Sequence, residues 1–227
     1  MSGGTLDADE TSTVSGALTQ SGDITIDVAT GKTLTYTGAA VNLGAKSMTL
    51  SGGGTLSNTF NLVLNNANSK LLLNSITLKN LDTSSDSLGI DINADSSVNT
   101  LEIRNITPVS IAAGTTLSGS ITVSAGSLNL NEAGTLASNV TMSGGILDAD
   151  ETSTVSGAIT QTADTTIDVA SGKTLTYSGA AVNLGAKTLT LSGGGTLANT
   201  NAFVLNNTNS KLLLNSITVD STSTSAD

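Results

Sequence analysis

Residues 1–78 recur at 142–219, shifted by 141 positions without a gap, and no other property of this chain limits its fold as strongly. MSGGTLDADETSTVSGALTQ (1–20) returns as MSGGILDADETSTVSGAITQ (142–161). The 78 aligned positions differ at 15, and most differences exchange like for like, as in Leu18 for Ile159, Met48 for Leu189 and Leu78 for Val219. Phe60-Asn61-Leu62 against Asn201-Ala202-Phe203 is the exception; there the aromatic moves by two positions, which on a strand keeps it on the same face. A fixed period is the mark of a repeat architecture. Met1 aligns with the internal Met142, so it fits a repeat position as well as an initiator, and no signal peptide follows it. The chain therefore reads as one continuous unit over 1–227, with copies at 1–78 and 142–219 and intervening coils at 79–141, a window on a longer tandem array. Asp220–Asp227 (DSTSTSAD) no longer tracks residues 79–86 (KNLDTSSD).

A shorter period lies inside the long one. Apolar patches begin at Ile121, Val140, Ile159, Val182 and Phe203, roughly 20 residues apart, so about seven such units fill one long repeat. Within each unit, apolar residues at i, i+2 and i+4 alternate with Thr, Asn and Asp, as in Ile24-Thr25-Ile26-Asp27-Val28 and Thr33-Leu34-Thr35-Tyr36. That is the period of strands, and helical spacing is nowhere sustained. A sandwich does not require coil-by-coil self-similarity, whereas a solenoid stacks each coil on the last and needs near-copies. The fold class expected is all-β, a parallel β-solenoid with about 20 residues per coil and about 11 coils, on the order of 50 Å long at one strand spacing per coil. Two or three strands per coil both remain open. Gly and Asn belong at the corners, where they tolerate left-handed backbone.

Composition removes several functions. Eight Lys and Arg against 18 Asp and Glu give a formal net charge of −10, which repels phosphates and excludes nucleic acid as a partner. The chain has no Cys and no His, which removes disulfides, thiolate nucleophiles, Cys/His zinc sites and Ser-His-Asp machinery. No aliphatic run exceeds triplets such as Leu71–Leu73, far short of the roughly 18 to 20 residues of a membrane helix, so no membrane insertion is expected. A hydrophobic content of 37% in alternating patches argues for a thin continuous core rather than for disorder.

The phrases G-x-L-x-L and G-G-x-L-x in GTTLSGSITVSAGSLNLNEAGTLASNVTMSGGILDADE (114–151) resemble the β-helices of bacterial secreted repeat proteins, in particular autotransporter passenger domains and filamentous-haemagglutinin-type adhesins. The resemblance is one of pattern over the whole chain and carries no catalytic motif. It implies a right-handed coil, export across a bacterial envelope, and an extracellular, cell-surface location. Unlike complete members of that family, this sequence shows neither a signal sequence nor a translocator barrel.

Candidate chemistry concentrates in the acids. Asp7, Asp9 and Glu10, with their copies Asp148, Asp150 and Glu151, are candidate ligands for calcium, which takes six to eight oxygens. The competing account is a solvated acidic corner that blunts lateral sheet pairing. The glycine-rich calcium nonapeptide is absent, and no other cofactor is expected. Asp91, Asp95 and Glu102 repeat the acidic pattern more sparsely. Paired acids can hydrolyse glycosides; here they recur with the long repeat instead of forming one constellation, so no enzyme is expected. Threonine pairs such as Thr11/Thr13, Thr33/Thr35, Thr35/Thr37 and Thr188/Thr190 resemble the arrays of ice-binding solenoids, but Ile121-Thr122-Val123 and Leu128-Asn129-Leu130 interrupt them. Asn105, Asn139 and Asn206 begin glycosylation sequons of a kind that arises by chance in so Asn- and Thr-rich a chain. Lys32, Lys46 and Lys70 and their copies Lys173, Lys187 and Lys211 read as solubility guards that mark no site.

The expected function is that of a structural rod, part of a surface adhesin, sheath or fibre, whose uncapped ends meet neighbouring repeats or another copy end to end, with lateral association left open by the sequence. The alternative is a module that binds surface glycans along one face, for which Tyr36, Tyr177 and the acidic clusters are the distinctive side chains.

Overall fold

Ile24–Val28 shows how these sequences become strands: Ile24, Ile26 and Val28 are buried while Thr25 and Asp27 between them are half-exposed. β-Branched side chains suit such a pleated, half-buried surface. The computed structural model describes residues 1–39, 41–58, 62–63, 70–83, 89–103 and 106–221, and builds them from strands of two to eight residues.

Among these residues the strands pair in parallel, each with a strand one coil away in sequence, which is a β-solenoid. The two antiparallel contacts are single bridges, Ala29 with Gly53 and Ala170 with Gly194. One sheet has 11 strands, from Thr5–Ala8 at one end to Lys211–Leu214 at the other. A second has 13 and runs from Ser12–Val14 to Thr218–Ser221, with Asn139–Met142 and Ile159–Gln161 beside its main path. Short pairs, Val41–Asn42 with Leu62–Val63 and Val182–Asn183 with Phe203–Val204, lie in sequence between the second sheet and the return to the first. Each coil thus contributes to two long sheets, and some coils carry a short third strand.

The step from coil to coil is uneven rather than constant. A short step separates Asn139 from Ala158, whose N–H it accepts across 19 residues. A long one separates Asp168 from Ser192, which are hydrogen-bonded across 24 residues. The long coil is widened at its corners, Ser178-Gly179-Ala180-Ala181 and Leu184-Gly185-Ala186-Lys187. The second of these is tightened by Asn183 Oδ1, which accepts the Gly185 N–H at 3.0 Å. Register also slips in two places, between Ile92 and Ala94 and between Val98 and Leu101. Gly119 stands at the second slip with φ of 116°, and a Cβ there would lie 1.7 Å from the Val98 carbonyl oxygen, so only glycine fits.

The core is a set of inward columns. Ile26, Leu50, Leu73, Ile92 and Ile111 stack in register on successive coils, each buried to 5% exposure or less. Leu34, Leu56, Leu78 and Val98 form the facing column. No helix among the described residues is long and apolar enough to cross a membrane. Because each inward leucine touches the coils on both sides, truncating one leaves a cavity that neither neighbour can fill. Leu50→Ala is expected to lower the unfolding free energy by about 2–5 kcal/mol, and Thr49→Ala on the outward face by about 0.5 kcal/mol or less. Urea unfolding followed by circular dichroism measures both; equal losses would contradict the inward assignment.

Candidate functional site

The acidic corners take their geometry from strand alternation. In Thr5–Ala8 and its copy Ile146–Ala149, leucine and alanine turn inward, so Asp7 and Asp148 must turn outward. In-register stacking then places like residues over one another. Asp7 pairs with Asp27, and Asn129, Asp148 and Asp168 follow one another on successive coils, about 4.8 Å apart. Such ladders of like charge cost free energy unless neighbours relieve them. Relief comes from the next coil, where Ser51 Oγ donates to Asp27 Oδ1 and Ser192 Oγ donates to Asp168 Oδ1. Asn129 Nδ2 donates to Asp150 Oδ2 at 3.0 Å.

Asp148 lies between Asn129 and Asp168 in its ladder. Its carboxyl is pushed up from 3.8 to about 6, first by burial, then by the charges of Asp150 and Asp168. What such a site can do chemically is hold a proton in mildly acidic solution.

The glutamates of the two clusters go elsewhere. Glu10 accepts from Lys32 Nζ at 2.6 Å and Glu151 from Lys173 Nζ at 2.5 Å, each pair joining adjacent coils. Lys32 and Lys173, read from sequence as mere solubility guards, are thereby corrected to partners in inter-coil ion pairs; at such exposure each is worth at most about 1 kcal/mol. The six candidate calcium ligands are thus divided among roles: Asp7 and Asp148 in the ladders, Asp150 on Asn129, Glu10 and Glu151 on lysines, and Asp9 exposed at its corner. Among the described residues no three acidic groups gather in a way that could hold a metal ion. Asp95 is exposed and accepts the Thr116 N–H at 2.9 Å, and Glu102 accepts from Ser124 Oγ at 2.7 Å. The side chain of Asp91 and the sequon at Asn105 lie outside the described residues. Asn139 and Asn206 are exposed, and Asn139 Oδ1 accepts the Ala158 N–H at 3.1 Å.

Sequence reading also passed over Asp23 and Asp164. Asp23 Oδ1 accepts the Ser47 N–H at 2.9 Å and Asp164 Oδ1 the Thr188 N–H at 2.8 Å, so each clamps the coil above. Their signal was the spacing of 24 residues in both copies, which is one long coil step.

Two expectations about the faces are corrected. Tyr36 and Tyr177 do not stand outward as platforms for sugars; they are 5% and 2% exposed. In Thr-Leu-Thr-Tyr the tyrosine shares the inward phase with leucine, and its hydroxyl serves the backbone instead. Tyr177 Oη accepts the Ile159 N–H at 3.1 Å and donates to the Ala180 carbonyl at 2.5 Å, and Tyr36 does the same with Leu18 and Ala39. Burial raises the Tyr177 phenol above its usual value of 10.0, partly opposed by the Ile159 hydrogen bond. Nor do the threonines fall out of line. Thr33, Thr55 and Thr77 stack in register and lead to Ser97, while Thr116, Thr135, Thr154 and Thr176 form a second column. Thr122, where the linear pattern is interrupted, stacks with Thr141 and Thr160. Asn129 stands in the other sheet, among the aspartates.

The two ends of the rod differ from its middle. Leu73 is fully buried under Ile92, but its copy Leu214 is 60% exposed, and Leu213 beside it is 49% exposed. At the other end Leu6 and Val14 are half-exposed, whereas their copies Leu147 and Val155 are fully buried against Leu128 and Leu136. Comparison of the chain with protein-family models, with curated proteins and with solved structures finds no match.

Two outcomes are expected. In the folded chain Asp148 keeps its proton to about pH 6, while the unfolded chain releases it near 3.8, so the folded state binds the extra proton between those values and the penalty of the charged form is complete above pH 6. Asp148→Asn should raise the melting temperature at pH 8 and have a much smaller effect at pH 4; a difference equal at both pH values would remove the carboxylate as its cause. Tyr177→Phe leaves a buried N–H without its acceptor and should lose about 1–3 kcal/mol in urea unfolding, whereas a surface-like loss below about 0.5 kcal/mol would mean water replaces the hydroxyl.

Proposed function

We propose that this chain is a structural rod of the extracellular space or bacterial cell surface, a right-handed solenoid whose work is length, stiffness and presentation. The rod continues axially. The observation that carries this reading is the difference between the two copies of the repeat: identical or like residues are covered by a further coil inside the chain and bare at its end faces, as with Leu73 and Leu214. A solenoid has no inherent stop, because each end shows an unpaired strand edge and an apolar column unless a polar cap closes it. Catalysis has no part in the proposal, and the acidic corners act as solvated, charge-bearing ridges that keep rods apart sideways. Burial of both tyrosines supports this reading over glycan binding along one face, since it removes the aromatic side chains that would stack on a sugar.

Electron microscopy of the purified chain tests it. Rods with one constant cross-section and lengths in multiples of a single unit are expected, lengthening with protein concentration. A monodisperse 22.4 kDa species with no end-to-end association at any concentration would count against axial continuation.

A further inference from the structure

Asn129 carries an acceptor that its own coil leaves unused. The residue is half-exposed, yet its Oδ1 is sealed from solvent and has no hydrogen-bond partner among the described residues. A buried carbonyl oxygen in that state costs free energy that a donor would recover. Turning the amide over is no remedy, because Nδ2 donates to Asp150 Oδ2 at 3.0 Å and the exchange would set oxygen against carboxylate. The donor has to come from the ladder. Asn129 is paired in register with Pro108 on one side and with Asp148 on the other. Proline has no side-chain donor, and aspartate has one only while it is protonated. Asp148 meets that condition in mildly acidic solution, since burial, then the charges of Asp150 and Asp168, push its carboxyl up to about 6.

We propose that Asn129 Oδ1 accepts a hydrogen bond from the protonated carboxyl of Asp148, closing a side-chain clasp between two coils in mildly acidic solution that opens as the solution turns neutral. With Nδ2 held by Asp150, the one amide then joins both carboxyl groups of the corner. The charges around Asp148 favour the closed form. Asp168 faces it from the next strand and Asp150 follows it in the chain, both as repelling charges. Glu151 is held by Lys173, and Asp164, before the next strand, is held by the Thr188 N–H. Strand Ser127–Leu130 brings no charged residue, and Glu132 beyond it is exposed. Strand Thr188–Ser192, on the far side of Asp168, brings none either, with Lys187 just before its start. Uptake of one proton thus removes a repulsion on one side of Asp148 and fills an unused acceptor on the other. Above about pH 6 an ionised carboxylate faces a carbonyl oxygen, and neither gains the bond. Asn129 lies outside the copied segments, so the clasp sits where the intervening coils meet the second copy. It goes beyond the rod reading, because it makes one internal step of the solenoid responsive to pH whatever the rod joins.

Nuclear magnetic resonance of the chain with carbon-labelled Asn and Asp reads the bond directly. Between pH 4 and pH 8 the side-chain carbonyl carbon of Asn129 is expected to shift with the same midpoint as the Asp148 carboxyl, near 6. Asn129→Ala removes the acceptor, and the Asp148 midpoint should fall toward 3.8. Asp148→Asn supplies an N–H donor at every pH and should hold the Asn129 carbonyl near its acidic position throughout. Should Asn129→Ala fail to fold, the titration of the parent chain and of Asp148→Asn still decide. An Asn129 carbonyl that stays still while Asp148 titrates near 6 would mean a proton held by burial and repulsion alone, and would overturn the clasp. An Asp148 midpoint unmoved by Asn129→Ala would do the same, as would a midpoint near 3.8 in the parent chain. None of these outcomes bears on axial continuation, which electron microscopy tests by itself.

Discussion

Parallel, in-register stacking of each coil on the last is the constraint from which the rest of this structure follows. A leucine in one coil is buried only because a leucine, isoleucine or valine occupies the same phase above and below it, as Leu50 is between Ile26 and Leu73. Burial is therefore a property of the column rather than of the residue. The same constraint explains tolerance at the aligned positions of the two copies. Met48 can become Leu189 because both fill one place in a column, and volume-conserving exchanges of apolar residues cost little.

Stacking is indifferent to what it repeats, and this produces the outward chemistry as well as the core. An aspartate carried on successive coils meets its own charge about 4.8 Å away. The ladder Asn129, Asp148, Asp168, Ser192 shows how the chain limits that repulsion, placing carboxylates between an amide and a hydroxyl. Two adjacent carboxylates still remain, and Asp148, pushed up by burial and by the charges of Asp150 and Asp168, holds its proton to about pH 6. In the second sheet threonine and serine fill outward columns such as Thr33, Thr55, Thr77 and Ser97, or Thr116, Thr135 and Thr154, although Glu102 also stands on that sheet.

Much of this was legible in the sequence alone. The repeat excluded folds without coil-by-coil symmetry, and the alternation of Ile24–Val28 and Thr33–Tyr36 located strands and inward residues directly. Lateral partners were not legible, because they depend on the coil step. That step is shorter between Leu128 and Leu147 than between Ile167 and Leu191, so no fixed offset aligns one coil with the next. The threonine columns and the Lys32–Glu10 pair therefore lay hidden in spacings that only the paired strands make plain. Tyrosine is a different case. Its inward phase was already written in Thr-Leu-Thr-Tyr, and chemical expectation about aromatic platforms outweighed a geometric signal that was the stronger of the two.

A column that buries residues only through their neighbours cannot bury its own last member. Leu73 and Leu214 occupy equivalent places in the two copies, yet one is sealed by Ile92 and the other open, so the repeat itself separates what sequence decides from what stacking decides. The unsatisfied end is thus not a flaw of local sequence that a better residue would mend, short of a polar cap that would stop the rod. It is the cost of a fold whose every coil is both floor and ceiling. An uncapped face therefore favours whatever presents the next coil in register, as Ile90 and Ile92 do over Leu71 and Leu73 within the chain.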